Sequence, residues 1–354
     1  MIFKKDEIIF LLGAGASFEA GIPIAPKMIE EVEELIQIDT DWQKFKELYF
    51  LVKSAIIYAD GIQGKFAEKG NFNIERLFNV LIELEKKEEH PLYPFIGQWN
   101  IKFSEIVSNN FQIIAEFQKL ILDKLKEWVS LEKDENANYY KALKSFKIEY
   151  NYPLRIFSLN YDLCVETSLE GEGIEIERGF DKNLRTWDYK RYDEIPEDTE
   201  PDIFLYKLHG SIDWERNTDT GEVKFKNINK INTPDLIFGN IYKLQYVDPY
   251  LFQFYELRKY SLQSKLIVVI GYSYSDAHIN GILSQALRQD KERRILSISP
   301  QKDIKDDLLR ILNQKPKKKI EIREMGAKEF FNNSLKLETL ESIFPDKTTD
   351  EIWS

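Results

Sequence analysis

The chain has 354 residues, with 49 Lys or Arg against 60 Asp or Glu and a formal net charge of −11 at pH 7. That balance argues against an electrostatic nucleic-acid surface, which carries net positive charge or a basic stripe; the one dense basic run, Lys317-Lys318-Lys319 beside Lys315, reads as a solvated strand edge. Hydrophobic residues make up 43%, with 23 Phe and 18 Tyr, enough for a large core and too much for a disordered chain.

Cys164 is the single cysteine, which excludes an intramolecular disulfide and any site built from several thiolates, a four-Cys zinc site included. The start, Met1-Ile2-Phe3-Lys4-Lys5-Asp6-Glu7, lacks the pattern of a secretory signal. No uncharged apolar run approaches the ~18 residues that span a bilayer. A cytoplasmic chain without membrane attachment is expected.

Ile8-Ile9-Phe10-Leu11-Leu12 is a β-prone apolar run that stops at Gly13, as a buried strand of a parallel sheet does. Roughly 130 residues then follow before the next such run, too many for a plain crossover. They are rich in Glu, Lys, Leu, Ile and Phe at helical spacing, most clearly Phe111, Ile114, Phe117, Ile121, Leu125 and Trp128. They read as a helical subdomain over 25–150, inserted into a sheet domain made of 1–24 and 151–354. Further strands are expected at Leu154–Leu159, Ile203–Leu208, Leu236–Phe238, Leu266–Ile270, Ile295–Ile298 and Ile320–Ile322, with a surface loop over Asp181–Glu200. The fold class is α/β: a Rossmann-like, mostly parallel sheet with a large helical insertion between its first and second strands, carrying functional loops at the strands' C-terminal ends.

The first strand runs into Gly13-Ala14-Gly15-Ala16-Ser17, then Phe18-Glu19-Ala20-Gly21-Ile22-Pro23. Glycines there let a backbone approach a pyrophosphate, and they equally suit a tight turn with no ligand. A dehydrogenase fingerprint needs a third Gly where Phe18 stands and an acidic strand end about 20 residues on, where this chain has helix-like Glu30, Glu31, Glu33 and Glu34. A phosphate-binding P-loop fails as well, because Ala59 stands where its first Gly belongs ahead of Gly64-Lys65.

Polar residues follow later strands in the same way. Ser158-Leu159-Asn160-Tyr161-Asp162 ends the second, and Lys207-Leu208-His209-Gly210-Ser211-Ile212-Asp213-Trp214 ends the third. His209 is one of three histidines, with His90 and His278, and an imidazole is the natural general base near neutral pH. The fifth strand leads into Gly271-Tyr272-Ser273-Tyr274-Ser275-Asp276-Ala277-His278-Ile279-Asn280, where Asp276 suits a helix cap and His278 and Asn280 suit packing of that helix start. Ser297, Ser299 and Pro300 fit ribose or adenine contacts or an ordinary loop.

Taken in order, Gly-Ala-Gly-Ala-Ser with Ala-Gly-Ile-Pro, Asn-Tyr-Asp, His-Gly-Ser and Gly-Tyr-Ser-Tyr-Ser-Asp-Ala-His-Ile-Asn resemble the sirtuin superfamily. Specifically, the pattern looks like that of the bacterial sirtuin-like NAD-hydrolysing domains of anti-phage defence systems. The motifs run from Gly13 to about Pro300 and bracket the helical insertion. The resemblance implies that NAD is bound and its nicotinamide-ribose bond cleaved. By position, Gly13, Ala14, Gly15 and Ser17 would meet pyrophosphate and ribose, Asn160 would place the nicotinamide ribose and water, and Asp162 would sit near the carboxamide. His209 would be the catalytic histidine, and Gly271 and Ser273, with Ser299, would serve the adenosine half.

Two departures bear on the reaction. Ile24-Ala25-Pro26 follows Gly-Ile-Pro where the deacylases carry Asp-Phe-Arg, and one cysteine cannot build their structural zinc site. Water is therefore favoured as acceptor, giving nicotinamide and ADP-ribose without a metal and depleting cellular NAD in defence. A sirtuin-type protein deacylase or ADP-ribosyltransferase, and a non-catalytic sensor of NAD or ADP-ribose, are the alternatives. Control is expected in trans, by homo-oligomerisation through the helical insertion, by a separate regulatory protein, or by both. The resemblance suggests a HerA-type ATPase or, less often, a short Argonaute, with neither direct nucleic-acid binding nor membrane attachment.

Overall fold

The computed structural model describes residues 3–64, 72–85, 103, 105–106, 112–193, 195–196, 199–239, 247–301, 305–312 and 319–344. His90, Phe111, Lys315, Lys317 and Lys318 lie outside them. The chain divides into two compact units, one of Met1–Ile22, Ser130–Leu236 and Leu244–Ser354, the other of Pro23–Val129 with Ile237–Lys243.

The first unit is built on a seven-stranded sheet. Its strands are β1 (Ile8–Leu12), β2 (Leu154–Ser158), β3 (Ile176–Glu177), β4 (Ile203–Lys207), β7 (Leu266–Ile270), β8 (Arg294–Ile298) and β9 (Ile320–Arg323), in the order β3-β4-β2-β1-β7-β8-β9. Every pairing is parallel, as expected for the Rossmann-like class. β1, β2, β4 and β7 are buried along their whole length, which is why each reads as a continuous apolar run and not an alternating one.

Register places the functional loops. Leu12 pairs with both Ser158 and Ile270, Ser158 pairs with Lys207, and Ile270 pairs with Ile298. Five strands, β1, β2, β4, β7 and β8, therefore end in one line, and the segments after them emerge side by side. β1 sits where the winding reverses, between β2 on one side and β7 on the other, and an open α/β sheet forms its ligand crevice at such a point.

Arg155 is the exception in its apolar run. Its guanidinium lies 4.2 Å from the Phe204 ring centroid and 3.9 Å from that of Tyr260, and donates from Nε to Asp6 at 2.7 Å and from Nη1 to the Tyr206 hydroxyl at 2.8 Å. A charge tolerates such burial only when paired and hydrogen-bonded.

The described elements of the second unit are helical, among them Ala25–Ile38, Lys46–Ile62, Ile74–Glu85 and Gln112–Trp128. Ile114, Phe117, Ile121, Leu125 and Trp128 are buried, so the spacing seen in the sequence is the stripe of a packed helix. Phe117 stacks on Phe45 at 4.7 Å, and Trp128 donates to Glu31 at 2.7 Å. Among the described residues no helix is long and apolar enough to cross a membrane.

Three expectations need correction or refinement. Residues 130–150, read above with the insertion, pack in the sheet unit, where Phe146 meets Phe10 edge-on at 5.6 Å. Leu236-Ile237-Phe238 is not a strand: between Pro234 and a left-handed Gly239 (φ 103°), its pairing is the isolated bridge Gly210↔Leu236. Asp181–Glu200 is not simply a surface loop, since Tyr192 is buried and stacks on Tyr206 at 4.6 Å. A hairpin of β5 (Trp214–Arg216) and β6 (Val223–Phe225) packs beside it through the bridge Thr186↔Lys224.

Arg155→Ala should lose about 3 kcal/mol, the lower end of the cost of breaking a buried charge pair. The shift of its denaturant midpoint checks this, and an unchanged midpoint would contradict the assignment.

Candidate functional site

The turn after β1 is a short 3-10 segment, Ala14–Ala16, that closes directly on the loop after β7. Gly13 N donates to Ile270 O at 2.9 Å and Gly15 N to Gly271 O at 2.8 Å, while Ala16 N and Ser17 N bond back to Gly13 O and Ala14 O. A Cβ on Gly13 would fall 2.5 Å from Tyr272 Cα, and one on Gly271 2.1 Å from Ala16 N. Gly271 also holds φ at 64°, in the left-handed region. The glycines thus let two main chains touch, and the amides of Gly13, Gly15, Ala16 and Ser17 are already bonded within the protein. Ala14 is the exposed residue of the turn.

Ser17 is fully buried. Its hydroxyl lies 3.1 Å from the Tyr140 hydroxyl and accepts from Asn160 Nδ2 at 3.2 Å; the same Nδ2 donates to Gly13 O at 3.0 Å. Asn160 N donates to Ser158 Oγ at 3.1 Å. Both ends of the Asn160 amide are therefore fixed in direction, yet Oδ1, buried, has no hydrogen-bond partner among the described residues. Tyr139, stacked on Tyr140 at 4.7 Å, donates to Ala16 O at 2.6 Å. Burial raises the pKa of both phenols, so each remains a neutral hydroxyl.

Asp162 is buried, and its Oδ1 accepts from Cys164 N at 3.0 Å, initiating the helix Cys164–Leu169. Its carbonyl receives the Lys207 ammonium, itself 2% exposed and 3.7 Å from Glu166. The loops after β2 and β4 are tied by Leu208 N to Ser158 O at 2.9 Å and Ile212 N to Tyr161 O at 3.1 Å. Gly210 turns the second of them at φ 85°.

His209 is 5% exposed, its ring 6.5 Å from that of Tyr161 and 6.4 Å from that of Phe254. Its Nε2 stands 3.5 Å from Asp276 Oδ2. Asp276 caps the helix Ala277–Gln289, with Oδ1 accepting from His278 N at 2.9 Å and Ile279 N at 3.3 Å. Asn280 does pack the helix start, donating to Tyr274 O at 2.7 Å, whereas His278 is exposed.

The structure thus gathers Ser17, Asn160, Asp162 and His209 on adjoining loops at one sheet edge. The expected adenosine-side residues follow β7 and β8 at the same end of the sheet, with Gly271 packed on Gly15. Ser273 is exposed and bonds Ser275 at 3.0 Å, and Ser299 is buried with its hydroxyl accepting from Gln301 N at 3.3 Å. A separate pocket of about 290 Å³, lined by Glu19, Asn136, Asn138, Lys328 and Asn332 among others, holds none of the expected residues. Sequence reasoning missed Tyr139 and Tyr140, which lie in a polar stretch without motif character, and missed the second oxygen of Asp276, since a cap signal reveals only one.

Gly271→Ala should cost about 1–3 kcal/mol or more, from backbone strain together with the clash at Ala16, whereas Gly281→Ala should gain about 0.5–1 kcal/mol. Nothing lies within 4 Å of a Cβ on Gly281, inside a helix. Denaturant midpoints of the two variants check the contrast; equal effects would contradict it. Burial, reinforced by the Asp162 carboxylate, pushes the Cys164 thiol well above its ordinary range. A thiol reagent at about pH 8 should then label no cysteine in the folded chain and one after unfolding. Prompt labelling of the folded chain would contradict this.

No curated protein matches this chain. Solved structures similar to it include a Sir2 homologue in complex with 2′-O-acetyl ADP ribose, at 12% identity over 96% of this chain and 94% of that one, with a TM-score of 0.44. A Sir2 homologue–NAD complex is similar at 13% identity over 95% and 90%, TM-score 0.44, and Sir2Tm bound to a propionylated peptide at 11% over 92% and 90%, TM-score 0.39. Residues 154–322 match the family described as SIR2-like domain, a span that contains Asn160, Asp162, His209, Gly271, Ser273 and Ser299 and leaves out the turn after β1.

Proposed function

We propose that this chain is an NAD+ glycohydrolase that uses water to cleave the nicotinamide-ribose bond. The observation that carries the reading is Asn160, gripped through Nδ2 by Gly13 and Ser17 while its buried Oδ1 lacks a partner at the sheet's switch point. Leaving a buried acceptor unsatisfied costs about 1–3 kcal/mol, which a bound hydroxyl or water recovers. The match of 154–322 to the SIR2-like domain family and the order of the strand-end motifs support NAD as the molecule that supplies it.

The reaction balances simply. As the C1′–N bond breaks, its electron pair neutralises the pyridinium, so nicotinamide leaves as a neutral molecule and needs no general acid. Positive charge develops at C1′, the water oxygen bonds there, and one proton is released. Asn160 Oδ1 accepts from the water or a ribose hydroxyl and fixes its direction, an orientation effect worth several kcal/mol. His209 takes the proton. Asp162 contributes to the carboxamide side while its Oδ1 stays committed to Cys164 N.

On the pyrophosphate side the residues fit less fully. The amides of Gly13, Gly15, Ala16 and Ser17 are bonded within the protein, so in this reading the turn serves the ligand by holding Ser17 and Gly13 O against Asn160 and by presenting exposed Ala14. Uncontrolled hydrolysis of NAD would be lethal to a host cell. The proposal therefore includes control in trans, by a homo-oligomer and by a partner such as a HerA-type ATPase, in a role that depletes NAD during anti-phage defence.

Chromatography of NAD incubated with the purified chain tests the reading. Wild type should release nicotinamide and ADP-ribose in equal amounts, and Asn160→Ala and His209→Ala should each be slower by about 10²–10⁴-fold. Undiminished turnover in either variant would contradict the assigned roles. Release of nicotinamide only with an acyl-lysine peptide would point to a deacylase, and intact NAD with a ligand-induced thermal shift to a sensor.

A further inference from the structure

His209 and Asp276 approach one another from two different strand ends. His209 follows β4 and Asp276 follows β7, and their side chains are 6% and 2% exposed, with Nε2 3.5 Å from Oδ2. The two oxygens of Asp276 face different neighbours. Oδ1 accepts from the amides of His278 and Ile279 and so caps the helix Ala277–Gln289. A cap needs one acceptor oxygen, and Asn or Ser supplies it as well as Asp does. Capping therefore explains Oδ1 and leaves unexplained why a full carboxylate, with a second buried oxygen turned to an imidazole, stands at this position. Burying such a charge is costly unless a partner compensates it.

We propose that Asp276 is the positioning residue of His209, its Oδ2 fixing the tautomer that carries hydrogen on Nε2. This rests on the hydrolase reading for the origin of the proton. As the water oxygen bonds to C1′ and the C1′–N bond breaks, the water proton passes to His209 Nδ1. Asp276 remains ionised and, closing the present 3.5 Å separation to a hydrogen bond as charge develops, stabilises the imidazolium at Nε2–H. The carboxylate is held in turn by its own loop, since Asp276 N donates to the Tyr272 hydroxyl at 3.1 Å. The rings of Tyr161 and Phe254 lie 6.5 and 6.4 Å from the imidazole, both tilted to it.

Asp276→Asn separates the two tasks. Asn keeps the capping oxygen, so folding and the denaturant midpoint should hold. Its amide group turned to Nε2 donates there and enforces the opposite tautomer, so kcat should fall by about 10²–10⁴-fold with KM for NAD little changed. Because Asp276 acts through His209, the double variant Asp276→Asn/His209→Ala should be no slower than His209→Ala alone. Additive losses, or wild-type turnover in Asp276→Asn, would overturn the proposal. Wild type that leaves NAD intact counts against the hydrolase reading, and the positioning role is then decided by 15N NMR of the imidazoles. The chain has three histidines, so His209 is assigned by its absence in His209→Ala. Its ring should carry hydrogen on Nε2 in wild type and on Nδ1 in Asp276→Asn; the same tautomer in both would overturn the role.

Discussion

Two main-chain hydrogen bonds, Gly13 N to Ile270 O and Gly15 N to Gly271 O, close the turn after β1 onto the loop after β7 with no room for a Cβ between them. The rest of the site hangs on that closure. On one side it aims Gly13 O and Ser17 Oγ at the Asn160 amide. On the other it sets the start of the loop that carries Asp276 to His209. Neither arrangement would survive a side chain at Gly13 or Gly271, since backbone atoms already occupy the space. Parallel register then brings the β2 and β4 loops into the same line, where main-chain bonds through Ser158 O and Tyr161 O join them.

Several polar residues of this edge hold the fold, and in the proposed reading they serve the site as well. Asp162 initiates one helix and Asp276 caps another, while Lys207, inside a strand, secures the Asp162 carbonyl. A buried charge in such a place is retained only when it is compensated, and each of these makes at least one structural hydrogen bond. In the proposed reading, alanine at Asp162 or Asp276 would mix lost folding with lost chemistry, whereas substitutions that keep the accepting oxygen separate the two.

The sheet was legible because its strands are buried on both faces, which turns each into an apolar run that no amphipathic helix imitates. β1, β2, β4, β7 and β8 fall where such runs stand, whereas β9, at the sheet edge and mostly half-buried, was read from the alternation of Ile320 and Ile322. Pairing order was not legible, since the contact of β7 with β1 joins residues some 250 positions apart that no local pattern links. Asn160, Asp162, His209 and Ser17 stood out as candidates because short polar residues after an apolar run are conspicuous. Tyr139 and Tyr140 escaped because their task is set by what they meet in space: the stretch Asp134–Lys141 is polar and looks like surface until Tyr140 is found on Ser17. Trp187 and Tyr192 escaped in the same way, as aromatic residues inside a charged segment that folds back onto β4. The glycines were read for a ligand, and the structure adds that they are needed first to let two loops touch.

The central claim is that Asn160 Oδ1 faces the nicotinamide ribose or the attacking water. A crystal structure of the His209→Ala chain with intact NAD tests it most directly. The account predicts a ribose hydroxyl or an ordered water within about 3.2 Å of Oδ1, with the glycine turn after β1 undisturbed. NAD bound elsewhere, for example in the pocket lined by Glu19, Asn138 and Asn332, with Asn160 Oδ1 still unpartnered, would contradict it.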